Sequence, residues 1–85
     1  MTTVIGITAP WCEPCKSYMP LAKEVCATLK LPFSTRDATV DVIFANKYSV
    51  KSVPTLLIFK DGELINRVSG TKSADELKKS LTEHI

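Results

Sequence analysis

Hydrophobic positions in the first half of the chain change from a short continuous run to helical spacing. Val4 to Ile7 is apolar and as short as a buried strand, which predicts a strand over Thr3 to Thr8. A helix is predicted over Glu13 to Lys30, bent at the internal Pro20, because apolar residues recur along one face: Met19, Ala22, Cys26 and Leu29. Phe33 to Asp37 is a second predicted strand, and this β-α-β order makes the two strands parallel.

The second half predicts a short helix, a hairpin and a terminal helix. The short helix has the apolar stripe Val40, Ile43, Phe44 and Tyr48. Two strand-like runs, Thr55 to Lys60 and Glu63 to Ser69, flank the tight-turn signal Asp61-Gly62. Ser73 and Glu76 have capping-box spacing before a buried stripe of Ala74, Leu77, Leu81 and Ile85. The order βαβαββα predicts an α/β fold with a four-stranded mixed sheet flanked by helices.

Composition limits the class of protein. Eighty-five residues, 45% of them hydrophobic, fit one domain with a modest core, residues 1–85. The net charge of +2 is spread along the chain, so we expect no nucleic-acid binding, and no apolar stretch reaches membrane-spanning length. Three cysteines without a signal peptide favour a reducing cytoplasm, and we expect a monomer.

Two cysteines separated by two residues carry the candidate chemistry. Cys12 and Cys15 lie where the first predicted strand becomes a helix, and Pro14 between them favours a turn. Free N–H groups and the macrodipole at a helix start favour negative charge, so Cys12 is the predicted nucleophile. Cys15, nearly one turn into the helix and less exposed, suits a resolving thiol that attacks a mixed disulfide.

Two other interpretations of this pair are weaker. A zinc site needs further ligands, and only Cys26 and His84 remain. A purely structural disulfide would close a very small loop and therefore constrain the unfolded chain little. Cys26 is predicted to be a buried helix cysteine, and His84 an exposed residue at the end of the last helix without a catalytic role.

The segment Trp11-Cys12-Glu13-Pro14-Cys15-Lys16 resembles the active-site segment of thioredoxins. The resemblance extends over nearly the whole chain: Pro20 matches a helix-kinking proline, Val53-Pro54-Thr55 the cis-proline segment, Lys60 to Glu63 the hairpin turn, and Gly70 a glycine near the site.

In that family the cis-proline loop lies against the cysteines. The resemblance therefore implies a shallow apolar contact surface for substrate, formed by Trp11, Val53, Pro54 and Gly70, with Glu13 and Pro14 beside it. The backbone of Val53 would be free to pair with an extended client segment. The alternative is that Pro54 only begins a strand and that Trp11 only packs on the surface.

The sequence departs from the family pattern in three places. The strand and helix that precede the active-site strand in thioredoxins are expected to be absent, which leaves Phe33 to Asp37 at a sheet edge protected by Ser34, Thr35 and Arg36. Gly6 stands where the family has a buried aspartate that assists proton transfer. Glu13 replaces a glycine; its carboxylate opposes a thiolate on Cys12, whereas Lys16 favours one.

The resemblance implies a thiol–disulfide oxidoreductase that reduces protein disulfides and binds no cofactor. Electrons would come from an NADPH-dependent flavoenzyme, thioredoxin reductase, and clients would be disulfide-containing proteins such as ribonucleotide reductase. Two alternatives remain. A glutaredoxin would draw electrons from glutathione, and a noncatalytic module would use the same surface to hold another protein.

Overall fold

Three helices and four strands follow one another in the predicted βαβαββα order. The computed structural model describes residues 1–84, and its elements are β1 (Thr2–Thr8), α1 (Glu13–Thr28), β2 (Phe33–Asp37), α2 (Val42–Lys47), β3 (Thr55–Lys60), β4 (Glu63–Ser69) and α3 (Ala74–Thr82). The predicted fold class is confirmed. Within this described part no helix has the length and apolar character needed to cross a membrane.

The four strands form one mixed sheet in the order β2-β1-β3-β4. β1 is parallel to β2 and antiparallel to β3, and β3 is antiparallel to β4. The two central strands are buried on both faces because helices cover both sides. Leu56 and Ile58 pack with α1 and α3, whereas Leu57 and Phe59, on the opposite face, pack with α2.

Local sequence signals account for the ends of several elements. The capping box of α3 is confirmed: the Glu76 N–H donates to the Ser73 hydroxyl at 3.2 Å, and the Ser73 N–H donates to the Glu76 carboxylate at 3.3 Å. Asp61 and Gly62 form the turn between β3 and β4, both with positive φ. α1 runs through Pro20 and ends at Thr28, two residues earlier than predicted, and Lys30 then has a φ of +59°.

The apolar stripe predicted for α2 is correct for Phe44 and Tyr48, which pack against the core, and wrong for Val40 and Ile43. Val40 lies before the helix and is 76% exposed, and Ile43 is 87% exposed. Because the helix has only six residues, it contacts the sheet through fewer side chains than the predicted stripe contains. Ala45 is buried, and Tyr48 packs edge-on against Phe59 with ring centroids 5.2 Å apart.

The stripe predicted for α3 is correct only in its centre. Leu77 and Leu81 are fully buried, but Ala74, the first residue of the helix, is exposed. Ile85, the last predicted member, lies outside the described residues.

β2 lies at the edge of the sheet, as predicted. The side chains of Ser34, Thr35 and Arg36 are exposed there, and Arg36 lies over the Phe44 ring, with its guanidinium carbon 4.9 Å from the ring centroid. Polar side chains on an edge strand disfavour pairing with another chain.

Candidate active site

Cys12 is the N-cap residue of α1, and its sulfur caps the helix. The Cys12 backbone is extended, with φ −87° and ψ 100°, and its N–H donates to the Ala9 carbonyl at 3.1 Å. The Cys15 N–H, which has no partner within the helix, donates to the Cys12 Sγ at 3.3 Å. A helix N–H group and the positive end of the helix dipole therefore both face this sulfur.

Cys12 and Cys15 are joined by a disulfide, with their Cα atoms 5.4 Å apart. The expected difference in exposure between them is not found, because Cys12 is 4% exposed and Cys15 is 2% exposed. Cys15 packs into the core under α1, and the disulfide holds Cys12 against it. Trp11, immediately before Cys12, is 71% exposed.

Glu13 and Lys16 form an exposed ion pair beside the disulfide. The Lys16 Nζ lies 2.8 Å from the Glu13 Oε1, and both side chains are largely solvated. The two charges expected to act in opposite directions on Cys12 are therefore adjacent and offset each other at short range. Pro14 occupies the first turn of α1 between the cysteines, where the absence of an N–H costs the helix nothing.

The loop before β3 contains the cis peptide bond that the resemblance implies, between Val53 and Pro54. Pro54 is buried, and its carbonyl accepts a hydrogen bond from the Gly70 N–H at 2.9 Å. Pro54 therefore connects this loop to the end of β4 and contributes little accessible surface. Val53 is half-buried, and none of the hydrogen bonds found within residues 1–84 uses its N–H or carbonyl.

A groove of about 120 Å³ lies beside the exposed Trp11 ring. Hereafter called the active-site groove, it is lined by Trp11, Ala38, Val50, Lys51, Ser52 and Val53. Sequence reasoning identified only Trp11 and Val53 of these six. The other four could have been found from their positions in the sequence. Val50, Lys51 and Ser52 directly precede Val53, and Ala38 directly follows β2. A larger groove of about 220 Å³ lies between α1 and α3, and neither Cys12 nor Cys15 lines it.

A side chain at Gly6 would force neighbouring side chains to move. A Cβ added there would lie 2.6 Å from the Met19 Sδ, 3.2 Å from the Phe33 Cζ and 3.3 Å from the Leu56 Cδ2. Met19 of α1 fills the space that a side chain at this position would need. An aspartate at this position, where the family has its buried aspartate, would therefore have to displace Met19.

The remaining thiol and the histidine lie outside the site. Cys26 is fully buried on the core face of α1, as predicted, and burial raises its pKa to about 11. His84 is half-buried rather than exposed, because its Nε2 lies 3.1 Å from the Asn66 Nδ2 and its carbonyl accepts from the Thr2 hydroxyl. Within residues 1–84 no three histidine, cysteine or acidic side chains are grouped as metal ligands are.

Known proteins resemble this chain in sequence and in structure. The family model described as thioredoxin matches residues 1–83. A thioredoxin from Bacillus subtilis is 37% identical over 79 residues, which is 91% of this chain and 76% of the relative.

Two solved structures agree with this result. A mutant thioredoxin from Halobacterium salinarum superposes with a TM-score of 0.91 at 28% identity, covering 98% of this chain and 74% of that one. Fasciola hepatica thioredoxin gives 0.89 at 29% identity, over 99% of this chain and 81% of that one. Because the family model spans both active-site cysteines and the fold agrees throughout, this chain belongs to the thioredoxin family and is a thiol–disulfide oxidoreductase with protein-disulfide reductase activity.

Proposed function

We propose that Cys12 attacks disulfides of client proteins and that Cys15 resolves the resulting mixed disulfide. The observation that carries this assignment is the hydrogen bond from the Cys15 N–H to the Cys12 Sγ at the N-terminus of α1. A backbone donor and the helix dipole stabilise a thiolate at Cys12, and the thiolate is the nucleophilic form of cysteine.

The reaction transfers two electrons from the protein to the client. In the first step the Cys12 thiolate forms a bond to one client sulfur, and the other client sulfur leaves as a thiolate that takes a proton from water. In the second step Cys15 loses its proton to the departing client sulfur and its own sulfur bonds to Cys12. The client leaves as a dithiol, and the product is the Cys12–Cys15 disulfide.

The loop at Val53 supports binding of an extended client segment. Its unpaired N–H and carbonyl offer the two main-chain hydrogen bonds that a neighbouring strand would make, and Trp11 offers an exposed apolar surface next to the disulfide. Glu13 and Pro14 border the same surface, and Gly70 is held next to it through Pro54. We assign these residues to client binding.

The oxidised pair must be reduced again by another protein, and we propose an NADPH-dependent thioredoxin reductase. Ribonucleotide reductase is one candidate client. The odd cysteine count and the free thiol of Cys26 favour a reducing compartment, the cytoplasm. We further propose that the chain acts as a monomer and as a single domain.

Two cysteine variants test the assignment of roles. Cys12→Ser should lose all insulin-disulfide reduction, whereas Cys15→Ser should accumulate mixed disulfides through Cys12, measured by mass spectrometry. Cys26→Ala is the matched control and should retain activity, since Cys26 is buried outside the site. Mixed disulfides formed through Cys15 in Cys12→Ser would reverse the assignment.

The electron donor is tested separately by a coupled NADPH assay. We expect turnover with thioredoxin reductase, and turnover with glutathione and glutathione reductase at less than about a tenth of that rate. Faster turnover with glutathione would identify the chain as functionally a glutaredoxin. Binding of clients without turnover in either system would indicate a noncatalytic module.

A further inference from the structure

The lining of the active-site groove is apolar on several sides and carries a charge at one point. Trp11, Val50 and Val53 provide apolar surface, Ala38 lies at the groove beside the end of β2, and Ser52 is neutral. Lys51 is the one charged side chain among the six lining residues. An occupant of this groove therefore meets an apolar surface with a cation on its border.

The acidic groups in the neighbourhood do not cancel this charge locally. The Glu13 carboxylate is paired with Lys16 at 2.8 Å, so those two charges offset each other. Asp37, next to Ala38 in the chain, accepts hydrogen bonds from the N–H and hydroxyl of Thr39 at 2.8 and 2.6 Å, which direct its carboxylate into that turn. No ion pair of Lys51 is found among the described residues.

The helix dipole adds to the charge of Lys51. The N-terminus of α1 is at Cys12, directly after Trp11, and it contributes positive potential to the same surface. Because Lys51 is solvated, its interaction with a ligand is worth only as much as an exposed ion pair. Such interactions select between partners more than they strengthen binding to all of them.

Resting on the function proposed above, we propose that Lys51 is a specificity-determining residue that selects client segments carrying an acidic side chain next to an apolar one. The apolar side chain occupies the groove between Trp11 and Val53, and the carboxylate lies against the Lys51 ammonium. The groove volume of about 120 Å³ is comparable to that of one apolar side chain. Clients with a basic residue at that position meet a like charge and react more slowly.

The experiment uses peptide disulfides that differ at one residue. Peptides of about nine residues, each with a central cysteine and a leucine beside Glu, Gln or Lys, are oxidised to disulfide-linked homodimers. Each peptide is made in two versions, with the leucine and its variable neighbour placed either before or after the cysteine. The reduced protein is mixed with each peptide, and the single-turnover rate is followed by the fluorescence of Trp11, the only tryptophan of the chain.

For the better-binding orientation we expect the Glu peptide to react about threefold faster than the Gln peptide and the Lys peptide about threefold slower, as exposed ion pairs of this kind allow. Lys51→Ala should abolish the preference and Lys51→Glu should invert it. At about 1 M salt the preference should disappear in the wild-type protein, since the Debye length is then about 3 Å.

Lys78→Glu is the matched control, because it makes the same change in net charge in the groove between α1 and α3. It should keep the wild-type order of the three peptides. Equal rates for the three peptides, or the same inversion in Lys78→Glu, would overturn the proposal. Reduction of the Gln peptide by the wild-type protein and by Lys78→Glu would show that the reductase function stands even if the charge preference is absent, whereas failure of the wild-type protein to reduce any peptide would refute that function itself.

Discussion

The Met19 side chain lies against Gly6 of β1, close to the position that the Cβ atom of any other residue would occupy. β1 is flanked here by Thr35 of β2 and Leu56 of β3, so the backbone has no freedom to move away. Within residues 1–84 the buried polar or charged residues are Thr2 and Thr55. No buried basic group is therefore available to pair with an acid at position 6. The absence of a side chain at Gly6 therefore lets Met19 of α1 pack closely on the sheet.

Substitutions at Gly6 should separate packing from charge. Gly6→Ala should cost about 1–3 kcal/mol of unfolding free energy through overpacking. Gly6→Asp should cost several kcal/mol more, since it also buries an unpaired carboxylate, and it should give no gain in the rate of mixed-disulfide resolution. Urea titration measures the stability and stopped flow measures the resolution rate.

Met19→Ala provides the control for the packing argument. By itself it should destabilise the protein, but the double variant with Gly6→Ala should lose at least about 0.5 kcal/mol less than the sum of the two single changes. Strict additivity would show that Met19 does not limit the space at Gly6. Faster resolution in a folded Gly6→Asp protein would show that a carboxylate at this position can assist proton transfer at Cys15.

Among the elements, α3 shows how a few residues determine where a helix starts. Ser73 and Glu76 satisfy each other's backbone N–H groups, and the side-chain hydrogen bond from Ser73 lowers the pKa of the Glu76 carboxyl below its usual 4.5. Once started, the helix buries Leu77 and Leu81 against the core that contains Cys15. The cap therefore contributes to the layer that supports the disulfide.

The capping box should make part of the stability depend on pH. Because Glu76 has a lowered pKa in the folded state, its contribution is present above about pH 4.5 and is lost as the pH falls through the lowered pKa. The difference in unfolding free energy between wild type and Glu76→Gln should therefore shrink on acidification. Ser73→Ala should cost about 1 kcal/mol at pH 7.

Glu24→Gln serves as the control for this prediction, since Glu24 is an exposed residue of α1 whose carboxylate makes none of the hydrogen bonds found within residues 1–84. Measured at the same pH values, it gives the effect of removing an exposed carboxylate that does not cap a helix. A difference for Glu76→Gln that does not change with pH would show that the cap works without the charge.

At the scale of the whole molecule, Cys26 reports on the opening of the core. Its thiol is fully buried between α1 and the sheet, and burial raises its pKa to about 11. The folded protein therefore holds this proton more tightly than the unfolded chain, whose thiol titrates near 9.0. The stability that this group contributes is present below pH 9 and is lost as the pH rises through about 11.

In the oxidised protein Cys26 is the one free thiol, which makes its alkylation a probe of global unfolding. Iodoacetamide at pH 8 should modify Cys26 only at the rate set by the open state, so the rate should follow the free energy of unfolding measured in urea. Leu77→Ala should raise the rate about 30-fold or more, from a loss of at least about 2 kcal/mol. Rapid modification of the folded wild type would show that Cys26 is reached by a local motion.

The features that the sequence by itself determined depend on neighbours within a few residues. The Cys12–Cys15 spacing, the Asp61-Gly62 turn and the Ser73–Glu76 box each contain all the groups that their geometry requires, and each is present in the structure. The strands β2, β3 and β4 also have the predicted bounds, and for β3 and β4 the Asp61-Gly62 turn marks where one strand ends and the next begins.

Only the tertiary structure decided which side chains share a surface. Val40 and Ile43 have helical spacing, yet both are exposed, because Val40 lies before the short α2 and Ile43 lies on its solvent side. Ala38 and Lys51 meet Trp11 because three separate segments converge at one end of the sheet, and Met19 meets Gly6 because α1 crosses β1 at that point. Spacing along one segment specifies a face of an element but not the element that packs against it, so these contacts between distant segments could not be obtained from the sequence pattern.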